Sequence, residues 1–105
     1  MKRSTLTAIV AAAFATMATA AMAAPQHYTG EALAGQAKVT LAQARAIALA
    51  ARPGVVTDQE LEKEAGGTGL RYSFDIKSGG RTIEVGVDAK TGKVLENAAE
   101  GPHPD

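Results

Sequence analysis

The chain has 105 residues and no Cys, so it offers enough length for one small domain and cannot be stabilised by disulfide bonds. Its eleven Lys and Arg balance its eleven Asp and Glu. A nucleic-acid partner or an anionic membrane surface calls for a basic excess, which this composition excludes.

The first 23 residues have the pattern of a cleaved signal peptide. Lys2-Arg3 give a positive start, an apolar run extends over Leu6–Ala15, and Ala21-Met22-Ala23 places small residues where a signal peptidase cuts. The alternative is a retained membrane anchor, because the apolar stretch approaches the roughly 20 residues of a membrane span. Cleavage after Ala23 would leave nine basic and eleven acidic residues. We therefore expect a periplasmic or secreted protein, slightly acidic, without stable membrane insertion.

The rest of the chain divides into a linker, one domain and a tail. Residues 24–37 mix Pro, Gly and polar groups without a period, which predicts a linker. Residues 98–105 contain Gly101, Pro102 and Pro104, which predicts a disordered tail. The domain therefore lies over residues 38–97.

A helix opens the domain. Thr40 followed by Gln43 three residues later predicts a capping box at its start. Pro53-Gly54 predicts its end, because the residue before Pro leaves the helical region. One face carries an apolar stripe at helical spacing, made of Leu41, Ala44, Ile47, Ala48 and Ala51.

Strand signals follow the helix. The segment Val55–Glu64 is the least regular, with Leu61 expected to point inward. Over Leu70–Lys77, apolar and polar residues alternate, which indicates a strand with one buried and one wet face. A two-residue turn at Gly79-Gly80 then predicts a hairpin. The expected apolar pairs are Ile76 with Ile83, Phe74 with Val85, and Tyr72 with Val87; a slip of one residue would break all three.

A second turn continues the sheet. Asp88 can accept hydrogen bonds from the backbone two residues on, and Gly92 can adopt a left-handed conformation. The chain would return through Lys93–Glu96 with Val94 beside Val87. The predicted fold class is α+β, with one N-terminal helix packed on a small antiparallel sheet of three to four strands.

Several of these tracts together resemble the PepSY domain. They are Val-Thr-Leu-x-Gln-Ala-x-x-Ile-Ala, Glu-Leu-Glu-Lys-Glu, Tyr-x-Phe-x-Ile and Ile-Glu-Val-x-Val-Asp-Ala-Lys-Thr-Gly-Lys-Val. The PepSY domain occurs in propeptides of thermolysin-type metallopeptidases and in small exported bacterial proteins. The resemblance implies a role in restraining or modulating a peptidase, here in trans, or binding another envelope protein. The family has no agreed catalytic residues, so it implies none here.

Two groups of acidic residues are candidate binding sites. Asp75 and Glu84 should oppose each other on the outer side of the hairpin, where paired carboxylates could do acid–base work or hold a cation. The alternative is a solvated face, relieved by Lys77 and Arg71. A second group could form a docking surface, or else a charged edge that discourages aggregation; it consists of Asp58, Glu60, Glu62 and Glu64.

Other chemistry is weakly indicated. His27 and His103 lie in the expected linker and tail and do not predict a metal site. Tyr72 and Phe74 could line a pocket, but so small a domain needs them in its core. The chain has no Cys, and its Ser residues have no partnering His inside the domain, so we expect no enzyme, no metal and no cofactor. The sequence favours a peptidase-modulating binding module; the alternative is an envelope sensor or stress protein that binds a cation or small ligand through the acidic outer face.

Overall fold

The structure is a computed structural model that describes residues 27–100. The signal peptide expected over residues 1–23 and the tail residues 101–105 lie outside the described residues. Within them, one α-helix and four strands follow each other along the chain. They are α1 (Leu41–Ala51), β1 (Val55–Lys63), β2 (Leu70–Ser78), β3 (Arg81–Asp88) and β4 (Val94–Ala99).

The four strands form one antiparallel sheet in the order β1-β2-β3-β4. Each strand pairs with its neighbour in the sequence, because tight turns connect antiparallel strands. Helix α1 packs on one face of this sheet, against β2, β3 and β4. The α+β class expected from the sequence is confirmed.

The predicted capping box starts α1. The Thr40 Oγ1 accepts a hydrogen bond from the Gln43 backbone N at 3.1 Å, and the Gln43 Oε1 accepts one from the Thr40 backbone N at 2.9 Å. Ala44 and Ala48 are the fully buried residues of the helix. Because both side chains are small, the helix axis can lie close to the sheet.

The hairpin between β2 and β3 has the expected register. Ser78 pairs with Arg81 across the two-residue turn, and all three apolar pairs predicted from the sequence form. Val94 also lies opposite Val87, as expected. The buried side chains of these strands meet α1 in a single core, which contains Leu61, Leu70, Tyr72, Phe74, Ile76, Ile83, Val85 and Val87.

Strand β1 contains a bulge that the sequence does not predict. Val56 lies opposite Ile76, whereas Asp58 lies opposite Asp75, so Thr57 is an extra residue on the β1 side. Without the bulge, Val56 and Asp58 would share one face, because side chains alternate along a strand. The bulge places Val56 against the core and turns Asp58 to the opposite face.

Both ends of the domain extend further than expected. Part of the predicted linker forms a segment that we call the strap, residues 28–36, which contains a 3₁₀ helix over Glu31–Gln36. The strap lies along β1, where Thr29 forms an isolated parallel bridge with Glu60. At the other end, β4 continues to Ala99, two residues into the expected tail.

The core makes a direct prediction about stability. Phe74 is completely buried, so Phe74→Ala should destabilise the protein by about 3–5 kcal/mol through lost burial and a cavity. A domain of this size has a total stability on the order of 5 kcal/mol, so the variant should be largely unfolded. Thermal melts followed by circular dichroism would measure this. Val55→Ala is the control, since Val55 is 66% exposed; a Phe74→Ala melt within a degree or two of the wild type would contradict the assigned core.

Candidate functional site

The sheet face turned away from α1, here called the outer face, is acidic. Asp75 and Glu84 lie opposite each other on it, as the hairpin register predicted. The pairings of β1 and β4 bring further carboxylates to the same face. Besides the buried Asp88, the carboxylates on the outer face are those of Asp58, Glu60, Glu62, Asp75, Glu84, Glu96 and Glu100.

Three of these carboxylates form a tight cluster. Oxygen atoms of Asp75, Glu84 and Glu100 lie within 4.8 Å of one another. Glu100 reaches the cluster because its backbone N donates a hydrogen bond to the Thr82 carbonyl at 3.0 Å, which prolongs the β3–β4 pairing. Sequence reasoning missed Glu100 because it fell in the expected tail. If the strand is taken to continue past residue 97, Glu100 lies on the same face as Glu96, because side chains alternate along a strand. That pattern could have predicted its position.

The crowding of negative charge changes the protonation of this face. Desolvation raises the pKa of Asp75, and the charges of Glu100 and Asp58 raise it further. Desolvation likewise raises the pKa of Glu84, followed by the effect of Glu96, Asp75 and neighbouring acids. Like charges at this spacing disfavour simultaneous ionisation. The cluster is therefore a place where a proton, a cation or a basic partner would relieve repulsion.

The predicted acidic group on β1 adjoins the cluster. Asp58, Glu60 and Glu62 share the outer face, and Glu64 is an exposed residue just beyond the end of β1. Desolvation raises the pKa of Glu60, and the charges of Glu62, Asp58 and Asp75 add to this effect. The Ser73 hydroxyl donates a hydrogen bond to Glu62 Oε2 at 2.8 Å. Because β1 is an edge strand, these carboxylates lie where a partner could approach.

Arg71 neutralises only one corner of the outer face. Its Nη1 lies 3.1 Å from Glu96 Oε1, and its Nη2 donates to the Ala65 carbonyl at 3.3 Å. The side chain is almost fully buried beneath these contacts. The sequence suggested that Arg71 would relieve the Asp75–Glu84 pair, but its ion pair is with Glu96.

A further acid, Asp88, has a structural role. Its buried carboxylate accepts hydrogen bonds from the Thr68 backbone N at 2.7 Å and the Thr68 hydroxyl at 2.8 Å. It also accepts bonds from the backbone N of Lys90 at 2.8 Å and of Thr91 at 3.2 Å. Burial alone would raise the pKa of Asp88, but these donors outweigh it and lower the pKa to about 2.

The loop over residues 65–69 approaches Asp88 through a glycine. Gly67 has a φ of 54°, and an added Cβ would lie 2.9 Å from the Leu95 Cδ1 and still closer to the Asp88 carboxylate. A side chain at position 67 would therefore push the loop away from Asp88. Sequence reasoning anticipated the bond from Lys90 but not the bonds from Thr68, which is 20 residues away.

The remaining candidate residues do not join the acidic cluster. His27 is exposed, and its Nδ1 lies 3.0 Å from Glu31 Oε1. Tyr72 and Phe74 belong to the core, where the Tyr72 hydroxyl donates a hydrogen bond to the Val39 carbonyl at 2.7 Å. His103 lies outside the described residues. Over residues 27–100, no helix has the length and apolar character that a membrane crossing requires.

Comparison with known proteins gives one match. Residues 38–97 match the PepSY family, described as "Peptidase propeptide and YPEB domain". The matched range contains α1, β1, β2 and β3 and the first four residues of β4. Neither a curated protein nor a solved structure matches the chain.

Replacement of Asp88 should reveal its structural role. The folded pKa of about 2 lies below the ordinary 3.8, so the carboxylate stabilises the fold above pH 4, and this contribution is lost as pH falls towards 2. Asp88→Asn should therefore cost about 2 kcal/mol at neutral pH and much less near pH 2. Urea denaturation at several pH values would measure the difference. Glu64→Gln, at an exposed position just beyond the end of β1, is the control; an equal cost for Asp88→Asn at both extremes of pH would contradict the carboxylate network.

Neutralising the cluster should have the opposite effect. Because the folded pKa of Asp75 is raised, its wild-type carboxyl favours folding below its ordinary pKa, and this contribution is lost as pH rises through the folded value. Asp75→Asn should therefore raise the melting temperature at pH 7 by about 1–5 °C and flatten its rise between pH 7 and pH 4.

Glu64→Gln, which removes an acid outside the cluster, is the matched control for this measurement. A lower melting temperature for Asp75→Asn at pH 7 would mean that its carboxylate makes a stabilising contact, and the interpretation of the cluster as repulsive would be wrong.

Proposed function

Because the chain belongs to the PepSY family, we propose that it is an exported, non-catalytic binding module that inhibits or modulates a peptidase in the cell envelope. PepSY domains are typically propeptide or inhibitor-like modules of peptidases, and they are generally non-catalytic. The family match across the helix and the sheet is the observation that carries this proposal.

Export is part of the proposal. PepSY proteins are generally extracellular or periplasmic. The basic start, apolar run and small residues of positions 1–23 support a signal peptide that is cleaved after Ala23. The released chain would act on its peptidase in trans, as a separate molecule.

The outer face suggests how such a module meets its partner. Apart from Asp58, which lines a pocket beside the strap, its carboxylates lie across an open sheet surface and along an edge strand, which suits docking better than acid–base chemistry. A partner with basic residues would be attracted and oriented by the stripe formed by Asp58, Glu60, Glu62 and Glu64. Part of the energy would come from relief of repulsion among these acids.

The binding role predicts capture of a peptidase. The chain beginning at Ala24, immobilised and exposed to envelope extract, should retain a peptidase and reduce its rate of cleavage. A variant in which the four acids of the stripe become Asn or Gln should retain less, with an unchanged circular dichroism spectrum. The control is Asp105→Asn, which removes an acid that belongs neither to the stripe nor to the strap. Capture of no peptidase, together with no change in proteolysis, would contradict the proposed function.

The cluster of Asp75, Glu84 and Glu100 favours a second candidate, an envelope sensor that binds a cation. Three carboxylates within 4.8 Å of one another are oxygen ligands of the type that Ca²⁺ prefers. Desolvation, and after it the charges of Glu100 and Asp58, raise the pKa of Asp75, and a bound cation would relieve the part that is due to like charge. A cation that binds only the folded state stabilises it, by an amount that grows with the logarithm of the cation concentration once this exceeds the dissociation constant.

Calorimetric titration with Ca²⁺ and Mg²⁺ tests this second candidate. It predicts heat of binding and a higher melting temperature for the wild type, both reduced in Glu84→Gln and unchanged in Glu64→Gln. Absence of heat and of any shift in melting temperature for the wild type would remove the sensor hypothesis.

A further inference from the structure

The strap extends the domain beyond the residues that match the family. Tyr28-Thr29-Gly30 lie beside β1, and the Leu61 backbone N donates a hydrogen bond to the Thr29 carbonyl at 2.9 Å. Thr29 and Glu60 form a parallel bridge, after which the chain enters the 3₁₀ helix. The strap thus contacts the edge of the sheet in the manner of a short added strand.

The closest contact between strap and sheet is at Gly30. Its φ is 87°, and an ideal Cβ at this position would overlap the Leu61 carbonyl oxygen. Any side chain here must therefore dislodge the strap or distort β1. Gly35, in the same strap, has nothing within 4 Å of an added Cβ.

The strap covers the edge of β1 but buries little apolar surface against it. No residue of the 3₁₀ helix is buried, and only Tyr28 and Leu33 of the strap pack partly against the core. A cavity of about 410 Å³ lies between the strap, Arg45 and β1, and another of about 230 Å³ lies between the strap and Tyr72. A segment with so little buried apolar surface is among the first to open locally.

We propose that the β1 edge is a strand-addition site, which the strap covers in the free protein and an extended partner segment occupies in the complex. The partner segment carries an aromatic residue, then Lys or Arg, then Gly, at the positions of Tyr28, Thr29 and Gly30. This inference rests on the proposed binding role but not on the partner being a peptidase. An edge strand exposes backbone groups that pair readily with another chain.

The chemistry of the partner follows from what surrounds each strap position. Tyr28 packs against the core, so an aromatic ring fits there. The partner needs Gly at the position of Gly30, because the backbone there lies too close to the Leu61 carbonyl for a side chain. Thr29 lies beside Glu60 on the outer face, next to Asp58 and Glu62. A basic residue in place of Thr29 would face this uncompensated charge, which gives the partner an advantage that the strap lacks.

Competition between strap and partner sets the apparent affinity. A partner binds only the fraction of molecules whose strap is open, so the strap reduces the apparent affinity in proportion to that open fraction. Dislodging the strap should therefore expose a latent site. All core residues and those packed on them lie between Tyr28 and Val94, so the chain beginning at Ala24 retains the whole core and is used in the tests below.

Hydrogen exchange on the wild type is the first test. The Leu61 amide, bonded to the strap, should exchange at least about tenfold faster than the Phe74 amide at the centre of the sheet, because only the strap must open. Equal rates for the two amides would mean that the strap opens only when the whole domain unfolds, and would overturn the proposal.

Peptide binding is the second test. The probes are two fluorescently labelled peptides, one with the sequence of residues 27–36 and one with Lys in place of Thr29. Gly30→Val should bind the first peptide about tenfold or more tighter than the wild type does, whereas Gly35→Val should behave as the wild type. The Lys peptide should bind Gly30→Val about two- to fivefold tighter than the first peptide, an advantage lost in Glu60→Gln.

If Gly30→Val does not fold, Tyr28→Ala replaces it, since that change removes the aromatic contact without a backbone clash. A folded variant with an exposed Leu61 amide that binds neither peptide would overturn the proposal. These tests use no peptidase. Failure to capture a peptidase would therefore contradict the proposed function without affecting the strand-addition site proposed for the β1 edge.

Discussion

The Asp88 carboxylate is the contact on which the rest of the structure depends. It lies at the end of β3 and is buried, yet it stays ionised because the backbone N of Lys90, Thr68 and Thr91 and the Thr68 hydroxyl point at it. Through these bonds, one side chain sets the turn that returns the chain into β4 and fixes the loop between β1 and β2. With no disulfide bonds, a domain this small needs such internal constraints.

The acids of the sheet are of two kinds, according to what surrounds each carboxyl group. Asp88 is satisfied by hydrogen bonds, and its pKa is lowered to about 2. Asp75, Glu84 and Glu60 are surrounded by like charge and desolvated, and their pKa values are raised. The bulge at Thr57 contributes to the second kind, since it turns Asp58 towards Asp75. Apart from Glu96, which pairs with Arg71, the outer face therefore holds acids whose mutual repulsion would fall if a cation or a basic group lay against them.

The hairpin and the helix were predictable because local rules agreed with one another. The turn at Gly79-Gly80 and the alternation over Leu70–Lys77 point to the same register, and Thr40 with Gln43 marks the start of α1. The opposition of Asp75 and Glu84 followed from that register. The bulge at Thr57, the bonds from Thr68 to Asp88 and the arrival of Glu100 were not predictable, because each depends on pairing between segments far apart in the sequence. The strap was missed because its Gly and polar residues read as a linker, although Gly30 is required by a tertiary contact.

Direct titration of the side-chain carboxyl groups by NMR tests the central claim, that the sheet divides its acids into one structural carboxylate and one repulsive face. The account predicts that the Asp88 carboxyl titrates at about pH 2, well below an ordinary Asp, while Asp75 and Glu84 titrate above their ordinary values. An Asp88 carboxyl that titrates near 3.8, or Asp75 and Glu84 carboxyls that titrate at or below their ordinary values, would contradict it.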